Sequence, residues 1–184
     1  PILKNKFVIC SVGRLGRDKG SFELLEAFDK LAKERDDVAL LMVGDIEGNI
    51  PSRLIPITKC KRVIFTGYTT KVNKYIAASD VLAHPSYREG FSMVIQEAMA
   101  MKLAVVTTDI PGPSEVIEDG VTGILVQPRN ADSLYEGLNK ILSDKNKMTE
   151  MADAGRIRCE RLFNRQRMQN LTYEHRMSLM NKNL

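Results

Sequence analysis

Short apolar, β-branched runs recur along the first 144 residues, each separated from the next by a segment with helical spacing. Phe7-Val8-Ile9-Cys10-Ser11-Val12 ends at Gly13, Val38 to Val43 ends at Gly44, and Arg62 to Thr66 ends at Gly67. Val81 to His84, Ala104 to Thr107 and Gly123 to Val126 bring the strands to six. Ser21 to Arg35 sets Leu24, Leu25, Phe28, Leu31 and Ala32 on one helical face. Val72–Ser79, Ser92–Met101, Pro113–Glu118 and Asp132–Leu142 read as further helices. Continuously apolar strands alternating with helices are what a parallel sheet covered on both faces requires. Right-handed crossovers then bring the carboxyl ends of the strands to one edge, where ligands of such sheets bind. The expected fold is therefore α/β: a Rossmann-like parallel sheet of about six strands, helices on both faces, and added C-terminal helices. Gly13, Gly44 and Gly67 all fall on the binding edge.

The 184 residues are 43% apolar and 27% charged, which argues against disorder and fibrous repeats. A chain of this size buries roughly 70% of its unfolded surface and needs no staple. Cys10, Cys60 and Cys159 are odd in number and form no CxxC pair, so neither a disulfide framework nor a zinc knuckle is expected. Those thiols suit a reducing, cytoplasmic setting, and Cys10 reads as a small hydrophobe. No apolar run approaches the ~20 residues of a membrane span. The sequon Asn170-Leu171-Thr172, without an export signal, reads as an accident of composition. The chain begins at Pro1 rather than Met, as expected of a piece of something longer.

From Lys145 onward the pattern is helical only. Met148, Met151, Ala152, Gly155, Cys159 and Leu162 form one stripe, and Met168, Leu171, His175 and Leu179 a second with no partner elsewhere in the chain. Residues 1–144 carry 18 basic and 19 acidic side chains, residues 145–184 carry 9 and 4. The basicity thus sits in the tail, where Arg156, Arg158, Arg161, Arg165 and Arg167 form either a solvated face or a surface for anionic lipid or a partner domain. No aromatic interleaving accompanies them, so no nucleic-acid partner is expected.

Two segments carry chemistry. Gly13-Arg14-Leu15-Gly16-Arg17-Asp18-Lys19-Gly20 follows the first strand and feeds a helix, a setting in which amides and cations meet an anion. Its spacing is neither GxGxxG nor GxxxxGK[ST], and by itself it reads as a phosphate loop or as a surface turn. The second segment is the block from Pro85 to Ala100. Ser92 is placed to cap a helix, leaving the amides of Met93, Val94 and Ile95 as free donors toward the binding edge. Glu97 lies about one turn into a helix otherwise rich in Met, Val, Ile and Ala, where a buried carboxylate must find partners. A vicinal diol supplies two donors to an acceptor-only group. Glu89 sits before the helix in a turn containing Gly90 and Phe91, within reach of a second polyol. His84 reads as a satisfied core histidine rather than a ligand contact, Tyr68 as a base-stacking or a rim aromatic, and Asp80 and Asp109 as edge or loop residues. No Asp-x-Asp metal-holding pattern occurs, and neither a metal nor another cofactor is expected.

At this point residues 6–162 resemble the C-terminal, donor-binding domain of the retaining GT-B glycosyltransferases of the group-one type. The resemblance rests on Val12-Gly13-Arg14-Leu15 with Lys19-Gly20, and on Glu89-Gly90-Phe91-Ser92 followed by Glu97-Ala98-Met99-Ala100. It continues through Glu115-Val116-Ile117 and Asp119-Gly120-Val121-Thr122-Gly123. It implies a nucleoside-diphosphate sugar donor, uridine-linked, and a saccharide or lipid-linked acceptor. Gly13, Arg14 and Lys19, with main chain at Met93 and Val94, would hold the diphosphate. Glu89, Gly90, Phe91 and Ser92 would meet the donor sugar, Glu97 the ribose, and main chain at Phe65, Thr66, Gly67 and Tyr68 the base. Arg14, Lys19 and Glu89 are the catalytic residues on this reading. Ser92 departs from the glycine of many members. The Pro111-Gly112-Pro113 turn is similar to that of enzymes building bacterial surface polysaccharides.

The implied organisation is a nucleotide-sugar domain over 1–162 and a helix over 163–184 that packs on an acceptor lobe outside this chain, with contact at the inner face of the membrane as a further expectation. Arg14, Lys19 and the helix beginning at Ser92 supply positive charge for the leaving phosphate. Each charge-assisted hydrogen bond is worth ~1.5–3 kcal/mol, so two account for several powers of ten in rate. The alternatives are a non-catalytic nucleotide-binding module, another GT-B enzyme such as an epimerase or phosphorylase, and a hydrolase using paired carboxylates. All of this requires Arg14, Lys19, Glu89 and Glu97 to converge on one cavity.

Overall fold

The computed structural model describes residues 3 and 5–181. The chain runs β1 (Phe7–Val12), α1 (Ser21–Glu34), β2 (Val38–Val43), α2 (Ile55–Thr58), β3 (Val63–Phe65), α3 (Val72–Ala77), β4 (Val81–His84) and α4 (Met93–Ala100). It continues through β5 (Ala104–Thr108), α5 (Pro113–Val116), β6 (Ile124–Val126), α6 (Ala131–Ser143), α7 (Lys145–Leu162) and α8 (Arg165–Asn181). The six strands form one sheet in the order β3-β2-β1-β4-β5-β6, every pair parallel. Strand order reverses between β1 and β4, and the crevice beyond their carboxyl ends is where such sheets take ligands.

Side-chain alternation along the strands feeds two cores. Ile9, Leu40, Met42, Val81 and Val106 point to the face covered by α1, α2 and α6, where Leu24, Phe28, Leu31, Leu138 and Ile141 pack. Val8, Cys10, Leu41, Leu82 and Val105 point to the other, with Ile76 of α3, Ile95 and Met99 of α4, and Val116 of α5. Burial pushes the Cys10 thiol up to about 11, so this cysteine is an inert hydrophobe. The helix α7 serves both faces: Met148 and Met151 join the first core and Cys159 packs on the second.

Local signals account for the element ends. Asn130 caps α6 by accepting a bond from the Ser133 amide, and Asp144 caps α7 by accepting from that of Lys147. Asp144 also ends α6 in extended backbone, so a single residue makes the sharp α6–α7 corner. The sequence reading has no helix at α2, because Pro51 and Pro56 interrupt the apolar period; Pro56 instead occupies the first turn, where its missing N–H costs nothing. Most other bounds shift by one or two residues.

The tail departs from expectation in part. Arg156 donates to the Ala100 carbonyl and pairs with Glu160, while Arg158 donates to the carbonyls of Val116 and Glu115. These two arginines tie α7 to the C-terminal ends of α4 and α5, so their guanidinium groups are engaged within the chain. Arg161 and Arg167 are exposed, and the side chain of Arg165 lies outside the described residues, as does Pro1. Along α8 every described side chain is exposed, including Met168, Leu171, His175 and Leu179.

Gly44 fixes how closely β1 and β2 end together. Its φ is +137°, and a Cβ there would lie 1.9 Å from the carbonyl oxygen of Gly13. The residue also bridges to Gly67, so the three glycines of the binding edge do meet. The variant Gly44→Ala is expected to lose about 2 kcal/mol or more of stability, from left-handed strain plus the displaced strand ends, measured by urea unfolding.

Candidate functional site

Two loops meet above β1 and β4. The first is the turn from Gly13 to Gly20, ending in a 3-10 turn over Arg17–Lys19, and the second runs from Pro85 to Ser92. The Tyr87 amide donates to the Asp18 carbonyl at 2.9 Å. Gly20, at φ +66°, lies so close to Pro85 that a Cβ would sit 2.0 Å from its carbonyl oxygen. That approach carries Lys19 to Glu89: Nζ donates to Oε2 at 2.7 Å across 70 residues of sequence.

A cavity of about 700 Å³ opens beside this pair, lined by Val12, Gly13, Lys19, Thr70, Val72, His84, Glu89, Phe91, Ser92, Met93, Val94 and Glu97. Lys19, Glu89 and Glu97 therefore share one space, with the first amides of α4 at its wall. Those amides have no carbonyl one turn back to bond, and they carry the positive end of the helix. Gly13 faces the same space, with nothing within 4 Å of where a Cβ would stand.

Four placements differ from expectation. Arg14 does not reach this cavity; its Nη1 lies 2.8 and 2.6 Å from the two Glu47 carboxylate oxygens, and its Nη2 lies 3.4 Å from Asp18. The arginine instead lines an adjoining cavity of about 250 Å³, which shares Val12, Gly13 and Val72 with the first. Glu47, absent from the sequence reading, gives the guanidinium a two-point partner close by. Second, Glu97 is exposed in the cavity and not buried, so no desolvation forces it to pair in the free protein. Third, Ser92 precedes α4 but its side chain makes no capping bond; Oγ lies 3.3 Å from His84 Nε2. Fourth, His84 is buried, as expected of a core histidine, yet it forms part of the cavity wall, with Nε2 3.1 Å from Glu89 Oε2.

The base-edge residues divide. The Phe65 ring packs on the first core, and the Thr66 hydroxyl bonds the Gly67 carbonyl. Tyr68 is 76% exposed at the rim of the smaller cavity, its amide held by Asp45 Oδ1 at 2.8 Å. Phe91 uses its ring on Phe163, edge to face at 5.1 Å between centroids, pinning the site loop to the end of α7. Thr70 and Val72 had no signal in the sequence, since their only distinction is their place on the wall. Among the described residues no cluster of three or more His, Cys, Asp or Glu can hold a metal ion, and no helix is long and apolar enough to cross a membrane.

Hydrogen bonds from His84 and Lys19 outweigh burial at Glu89 and pull its carboxyl down from 4.5 to about 2. The carboxylate is therefore a fixed anion at neutral pH, an acceptor for hydroxyl groups with a cation alongside.

The chain spans this arrangement with a recognisable pattern: the family model "Glycosyl transferases group 1" matches residues 1–158. The chain belongs to the group 1 glycosyl transferases. Among relatives, it is 29% identical over 168 residues to the capsular polysaccharide biosynthesis glycosyltransferase CapM of Staphylococcus aureus, matching 90% of this chain and 44% of that one. Among solved structures, Anabaena HepE in complex with UDP-glucose superposes with a TM-score of 0.80 at 27% identity, covering 99% of this chain and 50% of that one. The C-terminal domain of the Francisella tularensis group 1 protein LpcC gives a TM-score of 0.79 at 26% identity, covering 85% of this chain and 86% of that domain. This group 1 chain thus has the Rossmann-like architecture of one GT-B lobe, and it spans less than half the length of the Staphylococcus relative.

The low pKa of Glu89 sets a stability signature. A carboxyl whose folded pKa lies below its unfolded one adds stability that is complete above about 4.5 and is lost as pH falls toward about 2. The native chain is expected to be more stable than Glu89→Gln at pH 6, with the difference shrinking through that window, as read by unfolding at a series of pH values.

Proposed function

We propose that this chain is the donor-binding part of a longer retaining glycosyltransferase that moves a hexosyl-type sugar from a UDP-sugar to a saccharide or lipid-linked acceptor. The observation carrying the reading is that Lys19, Glu89 and Glu97, three charged groups scattered in sequence, line one cavity beside the open amides of α4. Lys19 and the main chain at Met93 and Val94 take the diphosphate, beside Gly13, whose missing side chain leaves room. Arg14 joins from the rim on exchanging its exposed carboxylate partners for phosphate. Glu89 accepts from hydroxyls of the donor sugar near Gly90, Phe91 and Ser92, and Glu97 from the ribose diol. The base lies along the main chain from Phe65 to Tyr68. HepE, whose complex holds UDP-glucose, supports the choice of nucleotide, and CapM supports a role in surface polysaccharide synthesis.

As the glycosidic bond to phosphate breaks, negative charge grows on the departing diphosphate. The α4 amides are fixed where that charge grows and need not reorganise during reaction, while Lys19 and Arg14 turn to it from their carboxylate partners once the donor is bound. This supply of charge is why the reading is metal-independent. Retention follows the family resemblance. Residues 1–162 form the nucleotide-sugar domain, and α8, the described part of the helix expected over 163–184 (182–184 lie outside the described residues), packs on a second lobe that presents the acceptor; its exposed apolar side chains fit that role. The LpcC C-terminal domain, matched over most of its length, supports this division. Contact with the inner face of a membrane is a further part of the proposal, with Arg161 and Arg167 as its exposed cations. The chain alone binds nucleotide and turns over little.

Calorimetry with UDP tests the site. Lys19→Ala is expected to weaken UDP binding about 10- to 100-fold, the equivalent of one charge-assisted bond. Glu97→Gln is expected to weaken UDP about 10-fold and 2′-deoxy-UDP much less. Unchanged UDP affinity in Lys19→Ala overturns the diphosphate assignment, and equal losses for the two nucleotides overturn the ribose assignment. In the full-length protein, Glu89→Ala is expected to abolish transfer.

A further inference from the structure

We infer that His84 is the positioning residue that keeps Glu89 aimed at the donor sugar after Lys19 turns to the diphosphate; this rests on the donor-site reading above. The geometry points to it because both donors to Glu89 fall on the same oxygen. Lys19 Nζ lies 2.7 Å from Oε2 and His84 Nε2 lies 3.1 Å from the same atom. Among the described residues no donor reaches Oε1, which stays open to the cavity for a ligand hydroxyl.

The two donors are not equivalent. Lys19 is a flexible cation whose side chain is 25% exposed, and a diphosphate brings more negative charge to it than one carboxylate does. Once Lys19 is drawn away, Glu89 is left as a carboxylate only 18% exposed. An unpaired carboxylate in that position is costly, and rotation toward water is its escape unless a second donor remains.

His84 is built not to move. It ends β4, its side chain is 7% exposed, and its carbonyl oxygen accepts from the Thr107 hydroxyl at 2.8 Å. The hydroxyls of Ser86 and Ser92 lie 3.4 and 3.3 Å from the same Nε2. A carboxylate only accepts, so the proton must sit on Nε2, with both serine oxygens turned to it as further acceptors. The Glu89 carboxylate sets that tautomer, and Ser92, the departure from glycine, accommodates it, since a hydroxyl can accept as well as donate. Neutral imidazole suffices for this role.

The test compares UDP and UDP-glucose binding to the native protein, His84→Gln and His84→Leu by calorimetry. Gln returns an N–H donor near the Nε2 position, whereas Leu fills the space without one. UDP affinity is expected to stay within about twofold in all three, because UDP has no sugar for Glu89 to hold. UDP-glucose affinity is expected to fall about tenfold in His84→Leu and to return to within about threefold in His84→Gln. Equal behaviour of the two variants, or an equal loss of UDP and UDP-glucose in His84→Leu, overturns the inference. Should His84→Leu fail to fold, 15N spectra of the native imidazole decide: Nε2 protonated and hydrogen-bonded in saturating UDP supports the role, and Nε2 bare overturns it. A native protein that binds neither UDP nor UDP-glucose sinks the donor-site reading itself, a result distinct from native binding with indistinguishable variants.

Discussion

The contact between Lys19 and Glu89 joins the two halves of the sheet's binding edge. Each residue sits on a loop leaving a central strand, and the two strands are neighbours only because the order reverses between β1 and β4. The pair is partly withdrawn from water, which makes it stronger than a surface ion pair and makes either partner costly to strand. Beside it the first residues of α4 and the exposed Glu97 line the same cavity, with Arg14 on the adjoining one. A Rossmann-like lobe offers that crevice to many ligands, and it is the charges placed there that narrow the choice.

The free site keeps its charges paired with one another. Arg14 is held by Glu47 and Asp18, Lys19 by Glu89, and only Glu97 stands open to solvent in the cavity. Such pairing leaves Arg14 and Lys19 of the first loop each with a carboxylate partner in the free protein. It also means that donor binding on the proposed reading is an exchange of partners, in which phosphate replaces carboxylate at the cations and hydroxyls replace ammonium at Glu89. At Lys19 and Glu89 exchange costs less than desolvating bare charges, because those two groups are already partly dehydrated and oriented.

Rigid elements place these groups. Gly20 against Pro85 sets the approach of the two loops, Phe91 on Phe163 anchors the second loop to the end of α7, and Arg156 and Arg158 fasten α7 to the C-terminal ends of α4 and α5. The C-terminal arginines, expected as a face for partners, are in part internal ties. The exposed α8 beyond them is the one long element whose described side chains find no core of their own.

The amino-acid sequence by itself determined the six strands, the long helices and the binding edge, because apolar periodicity and strand-ending glycines are local signals read over ten to fifteen residues. It missed α2, where two prolines break the period, and it carried the family motifs because those are contiguous. Tertiary structure alone decided which charges meet. Arg14 and Lys19 are five apart in sequence yet choose different carboxylates, since a turn between them points one to Glu47 and the other to Glu89. His84 carried no signal beyond its place at a strand end, for its importance lies in a 3.1 Å approach to a loop that only folding brings back over it. Side-chain pairing across a sheet edge depends on rotamers and loop packing, quantities that residue order constrains only through the whole fold.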